Sequence, residues 1–263
     1  MQAFLVYIAN QMIIQFEHIG TKYSANLAEP LDISLPLFSG VNNPNAFHIA
    51  HPKFEPVKVG TFVGSVEQGG ACNCENLFLN AHGNGTHTEC VGHISKERIT
   101  INQTLKQFYA IAQVISVTPT TIENGDLLVT LKSIETQLDS KAEAIIIRTL
   151  PNNLSKKTGQ YSGNNPTYLE PALGTFLANN NIKHVLVDLP SVDREEDGGA
   201  LATHHAFWQY PNNTRLNATI TELIFVDDTI TDGLYLLNLQ IASFESDASP
   251  SKPVLYNLNL KKT

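Results

Sequence analysis

Two apolar runs rich in isoleucine and valine, "EAIIIRTL" (143–150) and "KHVLVDLP" (183–190), flank a helical pattern, "YLEPALGTFLANNN" (168–181). The order strand, loop, helix, strand over 144–190 predicts a parallel strand pair joined by a right-handed crossover, with the asparagine run capping the helix C-terminus. Elsewhere short strand-like stretches follow one another directly: "MIIQFEHIG", "YSANL", "PLDISLPL", "LFLNAH", "FYAIAQVISVT", "ATITELIFV" and "GLYLLNLQIASF". Gly, Pro or Asn punctuates them, so antiparallel pairing is expected there. One further helix is predicted over "DLLVTLKSIETQL" (126–138), with apolar residues at i, i+1, i+4/i+5 and i+8. The mixture points to an α+β class, with a mixed sheet or barrel and a few helices on one side.

A chain of 263 residues with 42% apolar and 16% charged residues supports one large core, so a single domain over 1–263 is expected. Residues 1–11 read as an N-terminal extension, because Met12 is an alternative start. The N-terminal stretch lacks a basic region and a small-residue cleavage site. No run approaches the eighteen or so apolar residues of a membrane helix. The net charge of −8 comes without any basic block, which argues against nucleic acid or an anionic membrane as partner and favours a small-molecule substrate. Three cysteines, Cys72, Cys74 and Cys90, are too few for a disulfide framework and suit a reducing, cytoplasmic setting. Cys72 and Cys74 are read as semi-buried thiols on a strand edge rather than as half of a metal site, and Cys90 as a small core filler.

Chemistry concentrates in "NAHGNGTHTECVGHIS" (80–95), where His82, His87, Glu89 and His93 fall within twelve residues. Protonated imidazoles repel one another and unpaired ones are costly to bury. A cation bound by neutral ring nitrogens and a carboxylate removes both problems. His87 and Glu89 share one face of an extended strand, and His93 joins them if the strand continues. Gly83 and Gly85 allow close backbone approach or positive φ, and Thr86 is placed to hydrogen-bond a ligating group. The spacing is compatible with a metal site and also with a polar pocket without metal. A second pair, His204 and His205, lies in "LATHHAFWQYP". Glu222 lies in "NATITELIFV", flanked on its own face by Ile220 and Ile224, where a buried cationic partner is the economical reading. If "THHAFW" is a strand, only one of the two histidines reaches the site.

The segment "HGNGTHTECVGH" resembles the H-x-G-T-H-x-D-x-P-x-H signature of the cyclase-like metal-dependent hydrolases, which include kynurenine formamidases and isatin hydrolases. "PLDISLPL" (30–37), "VLVDLPSVD" (185–193), "THHAFW" and "TELIF" are similar to further segments of that family. The resemblance implies a β/β/α layered "swivelling" fold around a barrel-like mixed sheet. It also implies a divalent metal, Zn or Mn, held by His82, His87, Glu89, His204 or His205, and Glu222, with His93 as catalytic base and acid. A homodimer or larger homo-oligomer is implied as well. The chain departs from the signature in three places. His82 precedes His87 by five residues rather than four, Glu89 replaces an aspartate, and Val91 replaces a proline.

The activity implied is hydrolysis of a C–N bond in an amide, formamide or cyclic amide. The alternatives are a lactone or ester hydrolase, or a non-catalytic metal- or ligand-binding protein on the same scaffold. Asp188 and Asp193 are read either as site residues or as cap and turn formers, and Arg148 as a structural partner of one of them. Phe207, Trp208, Tyr210 and Tyr168 are read as core or as the wall of an aromatic pocket.

Overall fold

The computed structural model describes residues 11–260, so all of the expected N-terminal extension except its last residue lies outside the described residues. Ten strands and four helices position everything that follows. The strands are β1 (Ile13–His18), β2 (Thr21–Asn26), β3 (Leu31–Asp32), β4 (His87–Cys90), β5 (Tyr109–Val117), β6 (Ala144–Thr149), β7 (His184–Val187), β8 (Thr219–Glu222), β9 (Gly233–Ile241) and β10 (Ala248–Asn257). The helices are α1 (Ala81–Asn84), α2 (Ile101–Thr104), α3 (Pro171–Asn179) and α4 (Ala202–Trp208).

Strands β4 to β10 close into a seven-stranded barrel in the order β9–β5–β6–β7–β8–β4–β10, sealed by pairing of β9 with β10, and β3 adds to β10. The run β5–β6–β7–β8 is parallel. All other barrel contacts are antiparallel. The expected parallel pair is therefore β6 with β7, Ala144 facing His184, and α3 lies in the connection between them. Both strands are buried along their whole length, which explains why they read as unbroken apolar runs.

Alternation divides the sheet residues between two cores. Ile145, Ile147, Val185 and Val187 point outward and pack with Leu173 and Leu177 of α3 and Phe207 and Trp208 of α4. Ala144, Ile146, Leu186 and Cys90 point into the closed barrel with Val114, Leu237 and Leu255. The two longer helices, α3 and α4, touch closely at Gly174, where a Cβ would lie 3.0 Å from the Thr203 carbonyl oxygen. Strands β1 and β2 form a hairpin whose Ala25 meets Ile111 and Leu236 of the barrel.

Three sequence expectations are corrected. Residues 126–138 form no α-helix. Leu127–Val129 is a short strand, paired in parallel through Leu128 and Val129 with Tyr168–Leu169, and a single 3-10 turn follows at Leu131–Ser133. Cys72 and Cys74 are exposed rather than semi-buried. Arg148 pairs with neither Asp188 nor Asp193. It binds Asp232 at 3.0 Å, the Ser116 hydroxyl, and the carbonyl oxygens of Asp227 and Ile230.

Candidate metal centre

Strand β4 turns His87 and Glu89 outward, because Cys90 is committed to the barrel interior and neighbouring side chains alternate. On the adjacent strand β8, Glu222 lies directly opposite His87 and Ile220 opposite Glu89. After β4 the chain makes a 3-10 turn, Val91–His93, that brings His93 back over Glu89 with Nδ1 3.8 Å from Oε2. His82 comes from α1, capped by the Asn80 side chain. His204 comes from α4. "THHAFW" is thus helical rather than a strand, and the two histidines separate by about 100° around the helix instead of by alternation. His204 enters the cluster, whereas His205 turns its Nδ1 to the Tyr210 carbonyl at 3.1 Å.

The decisive geometry is repeated at three imidazoles. His87 donates from Nδ1 to the Gly85 carbonyl at 3.0 Å, which leaves Nε2 facing Glu222 Oε2 at 3.3 Å. His204 donates from Nδ1 to Asp193 at 2.6 Å, which leaves Nε2 facing Glu89 Oε1 at 3.0 Å. His82 donates from Nε2 to Asp247 at 2.8 Å, which leaves Nδ1 facing Glu89 Oε2 at 3.1 Å. In each case one ring nitrogen is fixed by an outer acceptor, and the other presents its lone pair to a carboxylate that can only accept. Two acceptors at such distances need a proton or a cation between them. His87 Nε2 and Glu89 Oε2 are buried with no hydrogen-bond partner among the described residues. His82, His87 and Glu89 offer donor atoms within 4.8 Å of one another, as do Glu89, His93 and His204. These residues fit a divalent ion.

Without a cation, protons sit at the His82 and His204 contacts. Burial disfavours a charge on His82, but hydrogen bonds to Asp247 and Glu89 outweigh it and raise the imidazole to about 10. Burial likewise opposes the charge on His204, and Asp193 and Glu89 carry it to about 10. Burial pushes the Glu89 carboxyl up, while the neighbouring His93 and His204 imidazoles hold it well below the usual range.

The surroundings fix these side chains. Asp193 accepts from the backbone N–H groups of Thr203 and His204 as well as from the His204 ring, so it caps α4 and orients the ring together. The Val192 N–H donates to Glu222 Oε1 at 2.9 Å. The Thr86 hydroxyl is committed away from the cluster. It donates to the Leu223 carbonyl and accepts from the Leu35 N–H, tying the approach to β4 to the exit of β8. Neither Gly83 nor Gly85 adopts the left-handed backbone, Gly85 being extended, but a Cβ at Gly83 would strike Ile49 at 2.6 Å. Asp188 lies outside the cluster, bound to Thr149 and Lys156.

A cavity of about 860 Å³ opens on the cluster, lined by His82, His93, His204 and Glu222 together with the apolar Phe47, Ile49 and Leu201 and the charged run 194–197. Phe207 and Trp208 are fully buried core, and Tyr168 and Tyr210 do not line this cavity, so its one aromatic wall is Phe47. Asp247 is the site residue that the sequence does not announce. It sits in the polar stretch "SFESDASP", with no metal-ligand spacing around it.

The Cyclase family model ("Putative cyclase") matches residues 13–194. A kynurenine formamidase of Bacillus cereus is 24% identical over 235 residues, covering 87% of this chain and 97% of the relative. That of Bacillus anthracis is 26% identical over 194 residues, covering 73% and 83%. Among solved structures, isatin hydrolase A from Ralstonia solanacearum superposes with a TM-score of 0.65 at 15% identity, over 87% of this chain and 91% of that one. A predicted metal-dependent hydrolase from Bacillus stearothermophilus gives 0.61 at 15% identity, over 87% and 98%.

Proposed function

The chain belongs to the Cyclase family of metal-dependent hydrolases, and from that premise we propose that it hydrolyses the C–N bond of an amide, formamide or cyclic amide with a divalent metal at the cluster. One observation carries the reading. Three imidazoles, each with its outer nitrogen already bonded, turn their inner nitrogens onto the carboxylates of Glu89 and Glu222 at 3.1, 3.3 and 3.0 Å. His82, His87, Glu89, His204 and Glu222 would hold the ion, and His205 is left out because its ring faces Tyr210. The nitrogen-and-oxygen set, without thiolate, suits zinc or manganese. Once bound, such an ion supplies a lowered pKa for water and polarisation of a carbonyl oxygen.

The chain's own groups do the rest. His93 lines the cavity and turns Nδ1 to Asp247, so its Nε2 is free to take a proton from the attacking water and return it to the leaving nitrogen. Phe47, Ile49 and Leu201 give the substrate an apolar wall. Asp193 holds the His204 ring, and the Val192 N–H holds Glu222. A cytoplasmic setting is in keeping with three free cysteines. No helix among the described residues is long and apolar enough to cross a membrane. Exposed Val59, Phe62, Leu77 and Phe78 support assembly into a homodimer or larger homo-oligomer.

The test is elemental analysis of protein purified without chelator, followed by turnover of formanilides, isatin and simple lactones. The expected result is bound zinc or manganese, and C–N hydrolysis that chelator abolishes and metal restores. His93→Ala should lower kcat by about 10²- to 10⁴-fold with the metal retained. Absence of metal, or activity indifferent to chelator, would overturn the reading.

A further inference from the structure

Asp247 lies beyond the span matched by the family model and outside every motif in the sequence, yet one of its oxygens touches two rings of the cluster. Oδ2 is 2.8 Å from His82 Nε2 and 3.3 Å from His93 Nδ1. The two rings lie against each other, centroids 4.4 Å apart and tilted by 31°. A carboxylate oxygen only accepts, so the nitrogen that faces it on each ring carries the hydrogen.

Asp247 is itself held firmly. Its backbone carbonyl accepts from the Cys90 N–H at 3.0 Å, directly beside Glu89 on β4. Its Oδ1 accepts from the Ser246 hydroxyl, and the Ser246 carbonyl accepts from the Ile101 N–H at the start of α2. Glu245, two residues before, is clamped by the Thr100 hydroxyl at 2.7 Å and the Asn102 amide at 2.6 Å, and its carbonyl by Arg98. This anchoring gives the carboxylate a fixed position relative to β4, independent of α1, which carries His82.

We infer that Asp247 is a positioning residue that sets both rings at once, turning Nδ1 of His82 toward Glu89 and Nε2 of His93 toward the cavity. It supplies the outer acceptor that Gly85 supplies to His87 and Asp193 supplies to His204. A carboxylate behind an imidazole fixes its tautomer and its orientation. A single acceptor shared between a ligand and the proton carrier also fixes their separation. The inference rests on the hydrolase reading for its effect on rate, but its effect on the rings is independent of any substrate.

The experiment compares wild type, Asp247→Asn and Asp247→Ala. Histidine-ring correlation spectra of metal-free protein, followed up a pH series until the ring carries a single proton, should show His93 in the Nδ1–H form in wild type and as a tautomer mixture in the alanine variant. At saturating metal, Asp247→Ala should lose about 10- to 100-fold in kcat, with KM within about twofold and metal stoichiometry unchanged. Its metal affinity should weaken about tenfold. Asp247→Asn, whose amide oxygen still accepts, should recover kcat to within about fivefold of wild type. An alanine variant with an unchanged His93 tautomer and kcat would overturn the inference. So would a loss of metal stoichiometry, which would make Asp247 a ligand instead. If wild-type protein hydrolyses nothing, the hydrolase reading fails, and the tautomer comparison still decides this one.

Discussion

Two groups of buried charge lie at the ends of adjacent barrel strands, and they are built in opposite ways. Just past β7, Asp188 accepts from the Thr149 N–H and hydroxyl, both at 2.9 Å, and from Lys156 at 2.7 Å, so both its oxygens meet donors. Burial pushes its carboxyl up, and Lys156 and Thr149 offset that in part. On β4 and β8, by contrast, Glu89 and Glu222 face the inner nitrogens of imidazoles, and two buried atoms there have no hydrogen-bond partner among the described residues. Burial of charge is common to both. Unsatisfied acceptor capacity on one convergent set of atoms is what separates a binding site from a structural pair.

The comparison breaks most visibly at Glu89. Glu89→Gln removes the acid shared by the His82 and His204 approaches, and should weaken metal binding by more than about 100-fold, since loss of an outer-shell partner alone costs about 10- to 100-fold. Titration with zinc against a competing chelator measures it; near wild-type affinity would mean that the carboxylate ligates nothing. The Asp188 side answers in stability instead. Lys156→Met strands a buried carboxylate and should cost about 3–5 kcal/mol in urea unfolding, with metal stoichiometry unaltered. Loss of metal in that variant would merge the two groups into one site.

The sequence made the first contrast readable only in part. The parallel pair β6–β7 was legible because strands buried on both faces leave continuous apolar runs. The shared face of His87 and Glu89 was legible because strand parity is rigid. Strand β10 was not, since Pro250 and Pro253 argue against a paired strand. Pro250 faces His87 at the end of the β4 contact, and Pro253 faces Leu239 on β9. The helix expected at 126–138 failed because Leu128 and Val129 pair with Tyr168–Leu169, a long-range partner that periodicity cannot report. Asp126 of the same stretch is occupied by Arg194, Asn165 and Tyr168. The sequence leaves Asp193 open between a site residue and a cap, because its partners on α4 are ten residues or more away, and Asp247 works through distant contacts that no local spacing marks.

Strand β7 carries a third kind of buried polar group at its other end, which sharpens the comparison by sign. His184 is buried, with Nδ1 against the Thr219 hydroxyl and no acid in hydrogen-bond contact. Burial lowers its pKa to about 4, with Lys183 adding to the effect. Because the folded state resists the proton, the unfolded chain binds more protons between that value and the ordinary 6.5. The stability associated with His184 is therefore complete above about pH 6.5 and declines as the pH falls toward 4, by about 3 kcal/mol in all. Urea midpoints over that range should show the decline in wild type and a flatter profile in His184→Asn. Identical slopes would assign the acid loss to other groups.

The smallest expected effect decides between neighbours. His204 and His205 are adjacent on α4; the chain's resemblance to its family favours His204, and the helix gives the physical reason. One ring reaches Glu89 at 3.0 Å, and the other turns to the Tyr210 carbonyl and packs against the Tyr210 ring at 5.7 Å. His205→Gln should therefore change metal affinity and kcat by less than about twofold and stability by about 1 kcal/mol, the net worth of one hydrogen bond. The same substitution at His204 removes a lone pair that faces Glu89 and also leaves Asp193 without its ring partner, so metal affinity should fall there alone. If the two variants instead lost metal equally, the ring that faces Tyr210 would have to swing into the cluster, and α4 would have to unwind to allow it.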